Sequence, residues 1–221
     1  MNKTILINCI GILVDGQVMR QCYRHNMSQV MSARYGQSPD FWQTVDQKIV
    51  ADWASYHADL NFSGDDGIID MYEALFRTTR ALFTIGNVPE PEKPEITALA
   101  NELIATPCDN SVILPDSNNS LSQLTEKGYR VGVFAHLLET HLKAITTSLK
   151  MIDHHIGADT VSHYEHDQTY FLKVASYLKT PPEQITVITR HATTAQSASQ
   201  AGLKSILVEQ FSALSIDSLE N

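Results

Sequence analysis

The feature that most constrains the fold is the alternation of short apolar runs with helical patterns, which begins with one run near the N-terminus and continues along the second half of the chain. Each run is rich in Ile, Val or Leu and is bounded by turn or polar residues, as expected of parallel strands covered on both faces. The runs are Thr4 to Ile10, Tyr129 to Phe134, Ile185 to Thr189 and Ser205 to Val208. Helical periodicity lies between them at residues 118–127, 139–149, 170–178 and 193–201. Strict alternation of this kind predicts an α/β fold with a doubly wound parallel sheet.

A strand-poor segment follows the first predicted strand. It shows helical periodicity at Val18 to Tyr35, Phe41 to Leu60 and Gly67 to Thr84, with breaks at residues 36–39 and 63–67. Three prolines between Asn87 and Pro94 then stiffen the chain without allowing a helix, which suits a hinge. We therefore predict a helical cap over residues 16–88, inserted into a core formed by residues 1–15 and 89–221.

Composition narrows the function classes. The formal net charge of -9 argues against general binding to nucleic acid or to an anionic membrane surface. No apolar stretch reaches the roughly eighteen residues that a bilayer span needs. The three cysteines lack metal-type or redox-type spacing, so we expect reduced thiols in a cytoplasmic protein.

The N-terminal and C-terminal motifs together carry a family resemblance. A hydrophobic strand is followed by Gly11-Ile12-Leu13-Val14-Asp15, and residues 182–203 read Pro-Glu, a strand, Thr-Arg, a short helix and Ala-Gly. This order and spacing resembles the haloacid dehalogenase superfamily over essentially the whole chain. The resemblance implies a Rossmann-type core with an inserted helical cap. It also implies hydrolysis through an Asp nucleophile that forms a covalent intermediate.

The first motif positions do not suit that reaction. The family's nucleophilic Asp corresponds to Asn8, and its second Asp, the proton donor, corresponds to Ile10. The hydroxyl residue that ends the second motif corresponds to Ala135. Strand alternation places Asn8 and Ile10 on one side and turns Cys9 to the other, so we expect Cys9 to be a buried structural thiol.

The remaining motif positions are changed as well. The family's Lys corresponds, to within a few residues, to Glu165, and its Mg²⁺-binding acids correspond to Arg190 and Thr194. A guanidinium repels a metal ion that prefers carboxylate oxygen. The resemblance therefore implies that both the covalent mechanism and Mg²⁺ binding are lost, and we predict no cofactor.

Polar residues nevertheless remain where the strands are expected to end, namely Asn8, His136, Arg190 and His191, and Gly11 adds its backbone to these candidate ligand-binding residues. Three interpretations stay open: solvated residues without a role, an anion site built on the Arg190 fork with Asn8 and backbone N–H groups near Gly11, and a metal or acid–base site of imidazoles.

The preferred hypothesis is a pseudoenzyme that binds a small anionic ligand or a protein partner, including a second copy of itself. The alternative is a divergent, metal-independent hydrolase of the phosphatase or dehalogenase type that uses His136 and His191.

Overall fold

The structure, a computed structural model, describes residues 3–64 and 66–209. Its strands are β1 (Thr4–Asn8), β2 (Arg130–Phe134), β3 (His154–Ile156), β4 (Ile185–Thr189) and β5 (Lys204–Leu207). They form one parallel sheet in the order β3-β2-β1-β4-β5. The predicted α/β fold with a parallel sheet is thus confirmed. Residues 1, 2 and 210–221 of the predicted core lie outside the described ranges.

Nine α-helices occur in the described ranges. They are α1 (Gly16–Tyr35), α2 (Pro39–Ala51), α3 (Trp53–Tyr56), α4 (Gly67–Gly86), α5 (Lys93–Ala105), α6 (Ser117–Glu126), α7 (Glu139–Ile145), α8 (Gln168–Leu178) and α9 (Ala192–Gln200). Short 3-10 turns lie at Asn110–Val112 and Pro182–Gln184. Within residues 3–64 and 66–209, none of the helices combines the length and the apolar character that crossing a bilayer requires.

The sheet is covered on both faces because successive side chains of a strand point to opposite sides. Ile5 and Ile7 of β1 join the cluster that contains the buried residues of α6 and α7. Leu6, between them, joins the cluster formed with α8 and α9. This three-layer arrangement explains why the strands are apolar throughout rather than alternating.

The helices inserted after β1 have a hydrophobic cluster of their own. Trp42 of α2 and Phe83 of α4 are fully buried in it, and Met27 and Met31 of α1 join them. The same cluster includes buried side chains of α5, which follows residue 88. The division into a core and a cap over residues 16–88 remains a prediction, and α5 packs with the helices on the cap side of that boundary.

In and next to the insertion, the bounds of two predicted elements differ from those in the structure. The periodicity over residues 41–60 is divided into α2 and α3 at Asp52, whose backbone leaves the helical region with φ of -116°. The predicted hinge over residues 87–94 is irregular only as far as Glu92. Pro94 lies in the first turn of α5, where its missing N–H leaves no helical bond unmade.

Two more differences lie in the sheet domain. The short strand β3 has no apolar run, since two of its three residues are His154 and His155. Both rings are half-buried. The helix expected to run from residue 139 to residue 149 ends at Ile145, where the Thr146 and Thr147 hydroxyls donate back to carbonyls of α7.

Candidate functional site

The carboxyl ends of β1, β2 and β4 meet at one edge of the sheet, where the chain reverses its strand order about β1. A tight turn follows β1, in which the Cys9 carbonyl accepts from the N–H groups of Leu13 at 2.9 Å and Val14 at 3.1 Å. Gly11 takes a φ of +83°, in the left-handed region that favours glycine. Asp15 then caps α1 by accepting from the N–H of Gln17 at 2.8 Å. The first motif therefore forms a rigid strand–turn–helix unit.

Asn8 lies at this edge but is only 5% exposed. Its amide Nδ2 donates to the Thr189 hydroxyl on β4 over 3.5 Å, a long hydrogen bond. Cys9 packs with the cluster on the α6–α7 face and is fully buried, and burial raises the pKa of its thiol above the usual range. The Cys9 thiol therefore stays protonated and points away from the site.

Arg190 follows β4 and is exposed. Its Nη1 donates to the Gly11 carbonyl at 3.1 Å, and a Cβ added at Gly11 would lie 3.1 Å from the same nitrogen. The structure thus brings Gly11 and Arg190 into direct contact, and the positive φ is what requires a glycine there. Ile10, beside them, is half-buried and offers no polar group.

The groups that would hold a metal ion at this edge are unsuited to one. Ala135, at the end of β2, is 1% exposed and has no hydroxyl, and Thr194 in α9 is 5% exposed. Mg²⁺ is held by carboxylate and other oxygen ligands, whereas Arg190 places a positive charge over the Gly11 carbonyl. Among the described residues, no group of three or more His, Cys, Asp or Glu side chains has metal-binding geometry. These residues do not fit the Mg²⁺ ion on which many superfamily phosphatases depend.

A stacked pair of histidines lies next to β2. The rings of His136 and His166 are 3.6 Å apart with an interplanar angle of 19°. His166 is 7% exposed and contacts the Phe134 and Tyr170 rings. Within the described part of the chain neither of its nitrogens forms a hydrogen bond of good geometry, although the Ala135 backbone lies close to the ring. Burial lowers the pKa of His166 well below its usual range, and the facing His136 lowers it further, with partial opposition from the Ala135 backbone. His166 is therefore a neutral imidazole.

His136 is more exposed to solvent than His166, on which it stacks. Packing against Tyr164 and His166 removes enough water to lower the His136 pKa, repulsion from His191 lowers it further, and Glu165 opposes the shift. His191 is itself exposed, and its backbone N–H donates to the Thr189 hydroxyl at 3.1 Å. His136 is therefore neutral at pH 7, with one ring nitrogen that can donate and one that can accept a hydrogen bond.

Glu165 connects the two parts of the molecule. Its Oε1 accepts from the Ser63 hydroxyl at 3.0 Å, which ties the loop after β3 to the helical insertion. A negative charge therefore lies at the place where the family resemblance expects a lysine, to within a few residues. Glu165 therefore holds the insertion against the core, and its negative charge is unsuited to stabilising an anionic transition state.

Three residues near this edge were not singled out from the sequence. Tyr23 of α1, Asp46 of α2 and His141 of α7 line a cavity beneath the inserted helices, together with His136. They lie on separate elements, so no spacing in the sequence relates them. Helical periodicity indicates α1, α2 and α7 and shows on which face of its helix each residue lies. It does not show which helix faces pack against one another.

Comparisons with known proteins give a fold and nothing finer. No family model matches the chain, and no curated protein sequence matches it either. Among solved structures, a defluorinating L-2-haloacid dehalogenase matches at a TM-score of 0.59 with 16% identity, over 93% of this chain and 80% of the other. The 2-haloacid dehalogenase from Pseudomonas syringae pv. Tomato matches at a TM-score of 0.57 with 16% identity, over 94% and 86%.

A third match is the L-2-haloacid dehalogenase from Xanthobacter autotrophicus with chloropropionic acid covalently bound. It has a TM-score of 0.52 and 15% identity, over 100% of this chain and 81% of the other. Identities this low establish the arrangement of the chain but not its chemistry. The strand order, the helical insertion after β1 and these likenesses together show that the chain has the haloacid dehalogenase-like fold.

Proposed function

We propose that this chain has lost the hydrolytic reaction of its fold relatives and is retained to bind a small anionic ligand. The observation that carries the proposal is the contact between Arg190 and the Gly11 carbonyl, beside a buried Asn8 amide. A neutral amide is a far weaker nucleophile than a carboxylate, and Ile10 cannot deliver a proton. Neither Cys9 nor Ala135 supplies a substitute nucleophile or hydroxyl at this edge.

An anion fits the charge of the edge better than a metal does. Within the described ranges the guanidinium of Arg190 makes one hydrogen bond, to Gly11, and forms no ion pair. A guanidinium carries five N–H donors, so most of them are free to hold a carboxylate or phosphate through paired hydrogen bonds. A protein partner, or a second copy of this chain, that presents a carboxylate there is the alternative occupant. We propose no cofactor, and a cytoplasmic location remains a prediction.

The test of lost activity is a hydrolysis screen. We expect no turnover of L-2-chloropropionate or of p-nitrophenyl phosphate, with or without Mg²⁺, and no turnover by Asn8→Asp, because the lysine and hydroxyl positions remain changed. Turnover by the wild type that Asn8→Ala abolishes would overturn the proposal. Turnover that Asn8→Ala leaves unchanged would point to another site or to a contaminant, which repeated purification separates.

The test of anion binding uses inorganic phosphate and acetate in calorimetric titrations. We expect weak, saturable binding that Arg190→Ala reduces at least about tenfold, as loss of a charge-assisted pair of hydrogen bonds implies. Arg80→Ala is the matched control, since Arg80 is exposed and pairs with Glu90 at 2.7 Å, away from this edge. Equal binding by wild type and Arg190→Ala would refute the assigned anion position.

A metal-independent hydrolase is the second possibility, and one observation favours it. Burial and His191 both lower the pKa of His136, so its imidazole is neutral and next to a second imidazole. Such a pair can take and return a proton during attack by water. Activity in the same screen that His136→Ala and His191→Ala together remove would support this function, and activity indifferent to both changes would refute these roles.

A further inference from the structure

A cavity of about 370 Å³ lies between the inserted helices and the sheet. Its lining comes from α1, α2, α3, α4, α5 and α7 and from the loops after β2 and β3, so residues far apart in sequence enclose it. The volume is at the lower end of the range for small-molecule pockets. An apolar cavity of about 150 Å³ holds one benzene ring, so this one has room for about two fused rings.

The lining is mostly apolar and aromatic. The side chains that give it this character include Val50, Trp53, Phe62, Met71, Leu75 and Ile104. Trp53 and Val50 are partly open to solvent at 44% and 53%, so the cavity can be reached from the surface. A surface of this kind is stabilised by an apolar ligand that displaces water from it.

Charge is nearly absent from the wall. Among the residues that the structure describes, no lysine or arginine lines the cavity, and Asp46 is the one acidic residue that does. Asp46 is 6% exposed and pairs with Arg24, whose Nε lies 2.7 Å from Asp46 Oδ2. A ligand with a carboxylate or phosphate would therefore find no free cation in the described wall, because Arg24 is engaged by Asp46, and burying an unpaired charge is costly.

Two imidazoles are among the polar groups that can orient a ligand, beside the hydroxyl groups of Tyr23, Thr78 and Tyr164. Burial lowers the pKa of His141 to about 4, and the His136 pKa is lowered as well, so both rings are neutral at pH 7. A neutral imidazole offers one donor and one acceptor. His136 contributes from the end of β2 and His141 from α7, five residues further along the chain, so the cavity has two fixed polar positions on its sheet side.

We propose that this cavity binds an uncharged, flat molecule of about two fused rings, held by apolar contacts and by hydrogen bonds to His136 and His141. The site is separate from the anion position at Arg190, with which it shares only the neighbourhood of His136. A ligand of this class is complementary to the wall in size, polarity and lack of charge. The proposal stands whether or not the edge at Arg190 binds an anion.

The experiment uses a matched pair of probes, 2-naphthol, which is uncharged at pH 7, and 2-naphthoate, which has similar rings and a carboxylate. We expect calorimetric titration of the wild type to show one site for 2-naphthol and at least about tenfold weaker binding of 2-naphthoate, because its charge would be buried unpaired. In ring ¹H–¹³C spectra, 2-naphthol should shift the His136 and His141 signals and leave the exposed His25 signal in place.

Variants locate the probe. Ala74 is 5% exposed and lines the cavity, so Ala74→Leu should fill it and weaken 2-naphthol binding at least about tenfold. Val50→Trp at the exposed rim tests the same point if Ala74→Leu does not fold. Ile69→Trp is the control, because Ile69 is 64% exposed on α4 and lines a different groove, between α4 and α5.

Several results would overturn the proposal. These are no saturable binding of 2-naphthol, binding of 2-naphthoate that is equal or tighter, and weakening by Ile69→Trp but not by the cavity variants. Because Arg190→Ala leaves this wall intact, we expect it to bind 2-naphthol like the wild type. A failure of the anion site and a failure of the cavity can therefore be distinguished.

Discussion

His166 is the residue whose environment departs most from its ordinary chemistry. Its ring is 7% exposed and stacks on His136, and neither of its nitrogens forms a hydrogen bond of good geometry in the described part of the chain. A buried polar group without a partner is a cost to stability. The ring contacts with Phe134 and Tyr170 show that this side chain packs as an aromatic ring rather than as a hydrogen-bonding group.

We expect His166→Phe to leave the free energy of unfolding unchanged or higher at pH 7.5, because phenylalanine keeps the ring contacts and has no unsatisfied nitrogens. The variant should also flatten the loss of stability in acid. The pKa of His166 is lower in the folded protein than in the unfolded chain. The neutral ring therefore makes its full contribution to the free energy of unfolding above about pH 6.5, and this contribution is lost as the pH falls toward the folded-state pKa. Urea unfolding at intervals between pH 7.5 and pH 5 measures both effects.

The size of the acid effect is bounded. A single proton difference changes the free energy of unfolding by at most about 1.4 kcal/mol per pH unit. Tyr164→Phe is the control, since Tyr164 belongs to the same group of stacked rings and its pKa is raised, away from this range. A His166→Phe protein that keeps the full acid slope of the wild type would contradict the account, and His141 would then be the main source.

At this scale the sequence indicated which residues occupy the motif positions, but not the contacts they make. The motif spacing indicated that Asn8, Ile10, Ala135 and Arg190 replace reactive groups, because each follows or ends a strand whose position is evident from its apolar run. Spacing did not reveal that Arg190 bonds to the Gly11 carbonyl. That contact depends on the side-chain path across a turn, which the sequence pattern does not determine.

Among the elements, the short strand β3 and the helix α7 fix the position of both histidines of the cavity. The Asp159 carboxylate accepts from the Glu139 N–H at 2.7 Å, and the Ala158 N–H donates to the Leu137 carbonyl at 2.8 Å. Gly157 lies between these bonds, and a Cβ added to it would be 2.2 Å from the Glu139 nitrogen. The loop after β3 therefore packs directly on the first turn of α7.

We expect Gly157→Ala to destabilise the protein by about 2 kcal/mol or more, because the added carbon would meet backbone that cannot move without breaking these bonds. Gly128→Ala is the comparison. At Gly128 nothing lies within 4 Å of the added carbon, and only the φ of +82° is unfavourable, at about 1 kcal/mol. Equal melting temperatures of the two variants would show that the backbone at Gly157 yields easily.

One partly buried ion pair joins α1 and α2 beside their shared hydrophobic cluster. Arg24 and Asp46 are joined at 2.7 Å, with side-chain exposures of 26% and 9%. We expect Arg24→Met to cost about 2 kcal/mol, because it leaves Asp46 buried without its partner, and Arg24→Met with Asp46→Leu to recover most of that loss. A double-mutant cycle in urea measures the coupling, and a silent Arg24→Met would mean that water satisfies Asp46.

Two elements were not indicated by the sequence, each for its own physical reason. β3 consists of three residues, two of them histidines, and its pairing with β2 comes from backbone bonds that no apolar pattern marks. α5 begins within the stretch whose prolines suggested a hinge, although a proline in the first turn is compatible with a helix. Long amphipathic helices and buried strands were indicated because their periodicity reflects burial directly.

At the scale of the whole molecule, the chain keeps the arrangement of sheet and helical insertion that its fold relatives have. The two parts meet at the cavity and at the Ser63–Glu165 hydrogen bond. Each of the two has its own buried clusters. Where the boundary between them falls decides which residues move together if the cavity opens.

We expect α5 to unfold with the inserted helices rather than with the sheet, which would shift the boundary of the predicted cap from residue 88 to the end of α5. Ile96, Leu99 and Leu103 are at most 2% exposed and share one cluster with Trp42 and Phe83. Side chains that share a buried cluster tend to lose protection as one cooperative unit. Native-state hydrogen exchange in low urea should therefore give the amides of α5 the same opening free energy as those of α2 and α4.

The amides of β1 are the internal reference, because this central strand is hydrogen-bonded on both sides and its residues are buried. We expect them to exchange only through global unfolding. If α5 instead exchanged with β1, its packing against α7 would outweigh its place in the helical cluster, and the boundary at residues 88–89 would hold. In that case a ligand in the cavity should slow hydrogen exchange in α5 no more than in the sheet. If the boundary instead lies at the end of α5, as we expect, the ligand should slow exchange in α2, α4 and α5 together.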